Sequence, residues 1–416
     1  MDHFSKQRLL CVIQISLLIF YTSYAFFFAR NVDIIGNSVL LGMSLLSFAT
    51  LSICGVNSYF LRASTKNLCI FFGICFLTIT IPIWPNSDPN WTYSAASKSI
   101  MGLSIVLVFI NPTHIFHNKH TWKVCIFLCL LMILQNTGFH IKENLKFIGL
   151  DASIGTWNEK YHSFWLALFI WPVMYCIKKD YKFKIYATIS FACVAIITSY
   201  SESAKLAIVI SFIVFFISKK QPHKTWRLIF YGLVIYVLVF PLFFQVFPLS
   251  KFDWLQHRWY NRILLFETAS NAIVDSFWIG RGFGSSLSLN IVPYLPEHNF
   301  AEARAAISLM ASTHESLSSY QTFPGNHPHN LVALVWLEFG LFGAILLLYF
   351  IYKANLYLLP AMMNSKVAPF VISLITTAIV LFSLSWSIWQ TDVMLTYIMF
   401  FACLASMISS IKQNSD

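Results

Sequence analysis

Residues 326–352 read NHPHNLVALVWLEFGLFGAILLLYFIY, a histidine-containing segment that runs directly into a nearly continuous apolar stretch. The apolar part is long enough to cross a hydrocarbon core, which takes about 20 residues of helix. Its first part contains Glu338, and a carboxylate within a span is costly and usually functional or paired. This junction predicts a membrane helix with a functional site at its outer end.

Stretches of the same kind recur along nearly the whole chain. Of its 416 residues 57% are hydrophobic and 11% charged, whereas a soluble protein carries roughly a quarter charged residues. The composition therefore excludes a water-soluble fold and predicts an all-α polytopic membrane protein. We predict about twelve spans: Leu9–Ala29, Ile34–Gly55, Leu68–Trp84, Ala95–Ile110, Trp122–Phe139, Tyr161–Ile177, Ile185–Tyr200, Ala204–Ser218, Trp226–Phe247, Asn330–Tyr352, Val367–Trp389 and Val393–Ile411.

The basic residues predict the orientation, because Lys and Arg near span ends resist translocation. With a cytoplasmic N-terminus, most of them in short loops fall inside, so we expect both termini in the cytoplasm. The long segment from Pro248 to Pro328, between the ninth and tenth spans, is then the one large outer loop. The formal net charge of +11 fits this bias and attraction to anionic headgroups, and it is not a nucleic-acid signal.

We interpret residues 1–416 as a single membrane domain, in which loop 248–328 carries most of the polar residues. All nine cysteines fall in apolar spans, so the loop is not a disulfide scaffold. Cys125 and Cys129 lie one helical turn apart, without a His or acidic neighbour, and this favours core packing over metal binding.

Phe252 to Phe277 is predicted to form an amphipathic helix that presents Arg258 and Arg262 one turn apart. The two arginines either contact lipid phosphates from an interfacial helix or bind a substrate diphosphate, and the second interpretation is favoured. Gly280, Gly282 and Gly284 follow at alternate positions. Such spacing permits close backbone approach to a ligand, although a tight turn is the simpler interpretation.

His329 is the candidate base, because a neutral imidazole accepts a proton near pH 7. Two alternatives stay open: His327 and His329 as zinc ligands, or His329 and Asn330 as a cap that only closes the helix N-terminus. We expect no metal, since a catalytic zinc needs three protein ligands and no HExxH helix is present. At the head of the eighth span, Lys205 either pairs with Glu202 or adds a positive charge beside Arg262.

The ordered pattern of Arg262-x-x-x-Phe266-Glu267, Gly280-x-Gly282-x-Gly284, His329-Asn330 and Glu338-Phe339-Gly340-Leu341-x-Gly343 resembles the bacterial O-antigen ligase and O-antigen polymerase superfamily. The resemblance covers roughly residues 198–343. It implies a GT-C-like membrane fold in the bacterial inner membrane. It also implies metal-independent glycosyl transfer at the periplasmic face.

The same resemblance implies an undecaprenyl-diphosphate-linked glycan as donor and lipid A-core, or another lipid-linked repeat unit, as acceptor. His329 matches the proposed base, and Arg262 matches the arginine that contacts the diphosphate. Ser203-Ala204-Lys205 stands where the family usually has a Ser-Arg-like pair, so lysine keeps the charge but loses the bidentate fork. Asn330, Glu338, Gly282 and Gly284 are expected to support the site.

Ligase is favoured over polymerase. A transporter or flippase is the rival class, but such proteins usually place charged sites near the bilayer midplane. Here the polar residues gather in one outer loop instead.

Overall fold

The computed structural model describes residues 157–176, 201–247, 257–282 and 328–384, together with residues 190, 193–194, 196–197, 285, 400, 404 and 407. Every regular element in these ranges is an α-helix. The six longer helices are α1 (Trp157–Cys176), α2 (Glu202–Lys220), α3 (Pro222–Val246), α4 (His257–Asp275), α5 (Leu331–Met363) and α6 (Ala368–Leu384).

Five predicted spans coincide with described helices, namely α1, α2, α3, α5 and α6. At most of their ends, the predicted and observed boundaries differ by only a few residues. Within the described ranges, α3 and α5 are long and apolar enough to cross a membrane, and α6 is apolar but shorter. The first five predicted spans lie outside the described residues, and the seventh and twelfth are described only at scattered positions. The count of about twelve spans and the GT-C-like fold stay predictions.

The turn between α2 and α3 follows from its sequence. Ser201 caps the start of α2 by accepting a hydrogen bond from the Ala204 amide at 3.4 Å. Lys219 and Lys220 end the helix, where cations interact favourably with the C-terminal dipole. Pro222 then opens α3 at a position where a missing N–H costs nothing.

One face of α3 is apolar and exposed. Leu228 is 75% exposed, Tyr231 60%, Ile235 59% and Leu242 53%. In water such a surface is a liability, whereas lipid tails are as apolar as these side chains. An exposed apolar face of this kind suits contact with lipid.

The opposite face of α3 packs in a core shared with α4 and α5. Its buried members include Val237, Phe240, Leu264, Leu265, Phe266, Ala269, Ile273, Val332, Ala333, Trp336 and Leu337. A second packed region joins α1, α2 and α6. There Trp171 stacks near Phe215, at a ring distance of 5.4 Å, and its Nε1 donates to Thr377 Oγ1 at 2.8 Å.

Helix α4 departs from the amphipathic expectation. Every residue from Leu264 to Ser270 is buried, so this part of the helix is enclosed on all sides. A helix that lies in a membrane interface keeps one face in water. This burial argues against the interfacial interpretation of α4, because the helix is packed inside the bundle.

Helix α5 also differs from its predicted span. Gly340 has φ 60° and ψ −150°, which breaks the helix into Leu331–Phe339 and Leu341–Met363. The second part alone, at about 1.5 Å per residue, is long enough to cross a core about 30 Å thick. Hydropathy did not predict the break because the residues on both sides of Gly340 are apolar.

Candidate functional site

The start of α2 carries a fixed ion pair. Lys205 Nζ lies 3.1 Å from Glu202 Oε1, and the two side chains are 32% and 38% exposed. The structure therefore contains the pairing that the sequence left open. An ion pair this exposed adds little stability, and the ammonium group stays accessible beside the helix N-terminus.

Arg262 of α4 reaches the same helix start. Its Nη1 donates a hydrogen bond of 2.8 Å to Ser203 Oγ, and Ser203 is fully buried. A helix N-terminus carries the positive end of the peptide dipoles. Arg262, Lys205 and the N-terminus of α2 thus lie together, with the Glu202 carboxylate paired to Lys205 beside them. A guanidinium group and a helix N-terminus are groups that bind phosphate in other proteins.

His329 and Asn330 form the entry to α5. Asn330 is its N-cap, and its Oδ1 accepts a hydrogen bond from the Ala333 amide at 3.0 Å. His329 is partly buried and has φ 54°, the one positive φ outside glycine among the described residues. The capping function predicted as an alternative is thus present at Asn330, and it leaves the role of the neighbouring imidazole open.

A chain of contacts through α3 connects Arg262 with His329. Phe266, one turn after Arg262, lies 6.2 Å from Phe240 between ring centroids. Phe240 lies 5.9 Å from Tyr236, whose hydroxyl accepts a 2.6 Å hydrogen bond from Asn330 Nδ2. These contacts join α4 and the start of α5 through α3.

The glycine segment is bound to the break in α5. The amides of Arg281 and Gly282 donate to the carbonyl oxygens of Leu337 and Glu338, both at 2.9 Å. On the other side of the break, the Leu341 amide donates to the Phe277 carbonyl at 2.7 Å. The segment after α4 thus satisfies backbone groups that the broken helix leaves without helical partners.

Two carboxylates lie inside this packed region. Glu338 is fully buried just before the break, and Glu267 of α4 is 3% exposed. Burying a carboxylate costs several kcal/mol unless other groups compensate it, by an order-of-magnitude estimate. A carboxylate buried in an apolar bundle is usually paired or functional.

Arg281, between two of the glycines, is directed back towards α4. Its Nε donates to the Ala272 carbonyl at 3.3 Å, and its Nη2 lies 3.7 Å from Asp275 Oδ2. These contacts close the C-terminal end of α4, where a cation is favourable. We therefore assign Arg281 a structural part in the glycine segment.

Among the predicted site residues, the structure places Arg262 and Lys205 at the start of α2, His329 and Asn330 at the start of α5, and Gly282 against Glu338. Arg258 lies in the first turn of α4, but its side chain is outside the described residues, as are His327 and Gly284. In the described part of the chain, no three His, Cys, Asp or Glu side chains are grouped as metal ligands.

Three features of the structure were not predicted from the sequence. Ser203 was recognised only as part of the span head and not as the partner of Arg262. Tyr236 gave no signal, because one tyrosine in an apolar span is ordinary. The break at Gly340 was not predicted, although a glycine inside an apolar span two residues after a glutamate is a signal that the sequence contains.

Comparison with known proteins adds the family. Residues 187–348 match the family model described as O-antigen ligase. No curated protein matches the chain. The matched range contains the start of α2, all of α4, the glycine segment and the break in α5, so it covers the site described above. The part of this chain that resembles the O-antigen ligase family, residues 187–348, is therefore the part that contains this site.

Proposed function

We propose that this protein is an O-antigen ligase-type glycosyltransferase of the bacterial inner membrane. It moves a glycan from undecaprenyl diphosphate to the lipid A-core oligosaccharide at the periplasmic face. The observation that carries the proposal is the hydrogen bond from Arg262 to Ser203, which holds a guanidinium at the N-terminus of α2. The match to the O-antigen ligase family model supports the reaction class.

The reaction requires stabilisation of a leaving diphosphate. The bond between the sugar anomeric carbon and the diphosphate oxygen breaks, and negative charge develops on the phosphates. Fixed cations in a water-poor site stabilise such charge without reorganising during the reaction. Arg262 and Lys205 supply this charge in our mechanism, and Arg258 adds a third cation one turn before Arg262.

His329 is the general base in this mechanism. The acceptor hydroxyl forms the new bond to the anomeric carbon and gives its proton to the imidazole. A positioned base contributes about 10²–10⁴-fold to such a reaction. The cations take the role that a divalent metal has in other glycosyl transfers, so we propose a metal-independent reaction.

The remaining predicted residues support this arrangement. Asn330 fixes the start of α5 beside His329, and Gly282 binds the backbone of Glu338 on the far side of the same half-helix. Gly284 continues the glycine spacing in the sequence. In this proposal they hold the site together and do not contact the reacting atoms.

A reconstituted reaction tests the proposal. The full-length protein in lipid nanodiscs is given undecaprenyl-diphosphate-linked glycan and lipid A-core, with and without a chelator, and glycan-bearing lipid A-core is separated by gel. We expect transfer that survives the chelator and that falls at least about 10²-fold in His329→Ala. Wild-type transfer by His329→Ala contradicts the base, and loss of transfer with the chelator contradicts metal independence.

The same assay separates the other functions. A polymerase lengthens the lipid-linked glycan even without lipid A-core, whereas a ligase consumes both substrates. A flippase changes the membrane leaflet of the donor and makes no new glycosidic bond. Elongated lipid-linked product alone would replace the ligase proposal with the polymerase alternative.

A further inference from the structure

The backbone of His329 is held in an unfavourable conformation. A φ of 54° lies in the left-handed region, which costs a residue with a Cβ about 1–2 kcal/mol. Such a conformation persists only where the surroundings fix it, and it is frequent at functional sites.

Asn330, the next residue, is bound at each polar atom of its side chain. Its Oδ1 accepts from the Ala333 amide, while its Nδ2 donates to Tyr236 Oη at 2.6 Å and to the Ser383 carbonyl at 2.9 Å. The residue is 1% exposed. Capping uses only the Oδ1 contact, so the two donated bonds go beyond what a helix N-terminus requires.

The two additional bonds connect three helices. Tyr236 lies in α3, and Ser383 lies in the last turn of α6. Because Asn330 binds both, the first turn of α5 is fixed in position and in rotation about its axis. The peptide between His329 and Asn330 is therefore fixed at one end. Together with the fixed φ of His329, it sets the Cα–Cβ direction from which the imidazole extends.

We infer that Asn330 and Tyr236 are positioning residues that hold the His329 imidazole in its reactive direction through this three-helix contact. The inference rests on the proposed function of His329 as the general base. Neither residue touches the reacting atoms. Their effect comes through geometry, because misplacing a reacting group by about 1 Å can cost about 10²-fold in rate.

Two substitutions remove the contact and spare the cap. Asn330→Ser keeps a side-chain oxygen that caps a helix about as well as asparagine, but its short side chain cannot reach both Tyr236 and Ser383. Tyr236→Phe removes the hydroxyl that accepts the shorter bond and leaves the ring in place. Asn330→Ser is therefore expected to have the larger effect.

The chain offers matched controls. Asn355 accepts a 2.7 Å hydrogen bond from Trp226 Nε1, another side-chain bond between α3 and α5. Asn355→Ser removes that bond away from the site and measures the effect of lost stability alone. Tyr231→Phe changes an exposed tyrosine of α3 and controls for the loss of a hydroxyl.

The experiment measures glycan transfer by the full-length protein in nanodiscs against pH and against donor concentration, with the melting temperature of each variant. We expect Asn330→Ser to lower kcat about 10–100-fold and to change KM by less than about twofold. Tyr236→Phe lowers kcat by a smaller factor. The acidic limb of the pH–rate profile, which reports the base, shifts in Asn330→Ser and stays in place in Asn355→Ser.

Three outcomes overturn parts of the argument separately. If His329→Ala retains activity, the proposed function loses its base. If His329→Ala is inactive but Asn330→Ser and Tyr236→Phe keep the wild-type kcat and pH profile, the positioning inference alone is wrong. If Asn355→Ser loses as much kcat as Asn330→Ser at an equal loss of melting temperature, the effect is one of stability and the inference is also wrong.

Discussion

Gly280 and Gly340 lie back to back, each with a positive φ, so that a Cβ on Gly340 would come within 2.5 Å of the Gly280 backbone nitrogen. In the same way, a Cβ on Gly280 would meet the carbonyl of Glu338 at 2.5 Å. No side chain fits between these two backbones. The glycine segment and the broken helix therefore approach each other as closely as glycine permits.

Alanine at either position is expected to destabilise the protein by about 2–5 kcal/mol, since it adds left-handed strain to a backbone clash. The melting temperature of purified Gly280→Ala and Gly340→Ala in detergent measures this. Gly232→Ala is the matched control, because a Cβ on Gly232 meets nothing within 4 Å. Wild-type melting of Gly280→Ala would show that the close approach does not exist.

Trp336 satisfies a backbone group that a proline leaves open. Pro241 has no N–H, so the Val237 carbonyl one turn earlier has no helical donor, and Trp336 Nε1 donates to it at 2.8 Å. Trp336→Phe leaves this buried oxygen without its donor and should cost about 1–3 kcal/mol.

A double-mutant cycle isolates that interaction. In a Pro241→Ala background the residue 241 amide supplies the donor, so Trp336→Phe is expected to cost clearly less there. Thermal unfolding of the four proteins in detergent gives the coupling free energy between Trp336 and Pro241. An equal cost in both backgrounds would mean that the tryptophan acts only by packing.

The contribution of Arg262 to the transfer rate is expected to depend on both its charge and its fixed geometry. Arg262→Ala should lower transfer by about 10²–10³-fold, and Arg262→Lys should lower it less, because charge remains while the fork is lost. Initial rates at saturating substrate measure these effects. Arg227→Ala, which removes an exposed arginine near the start of α3, should leave the rate unchanged.

Ser203→Ala tests the orientation of Arg262 without removing the cation. Losing one hydrogen bond to a charged group should cost about 1.5–3 kcal/mol at most, which is roughly 10–150-fold in rate. Ser218 is equally buried near the other end of α2 and bonds only within its own helix. A rate for Ser203→Ala no lower than that of Ser218→Ala would contradict the orienting role.

The strained backbone at His329 is expected to lower the stability of the protein while the imidazole serves the reaction. His329→Gly removes left-handed strain and should be more stable than His329→Ala by about 1 kcal/mol, while both lose transfer. Added imidazole should restore part of the rate to His329→Gly. A glycine variant less stable than the alanine variant would exclude the strained backbone, and rescue of Arg262→Ala by imidazole would show that the rescue is not specific.

The sequence predicted most where a single physical effect, such as hydropathy, dominates. Helices α3 and α5 were predictable because a bilayer tolerates only backbone that satisfies its own hydrogen bonds, so each long apolar stretch must be helical. The motifs at Arg262 and His329 carried the resemblance, and the family match at residues 187–348 confirms that resemblance. The roles of those residues stay proposals.

Other features depended on how the helices pack. The periodicity of α4 predicted an amphipathic helix, but neighbouring helices enclose its middle, and no local pattern shows what packs against a helix. The sequence left open whether Lys205 pairs with Glu202 or adds a charge beside Arg262, and the structure contains the pair with Glu202.

The sequence by itself determined that this chain is a helical membrane protein with its basic and histidine residues near the ends of apolar spans, because hydropathy and charge act through each segment's own composition. Only the tertiary structure decided that Ser203 holds Arg262, that Asn330 joins Tyr236 and Ser383, and that Gly280 lies against the break at Gly340. Those relationships depend on directional hydrogen bonds and close packing between segments far apart in the chain, and neither leaves a mark on local composition.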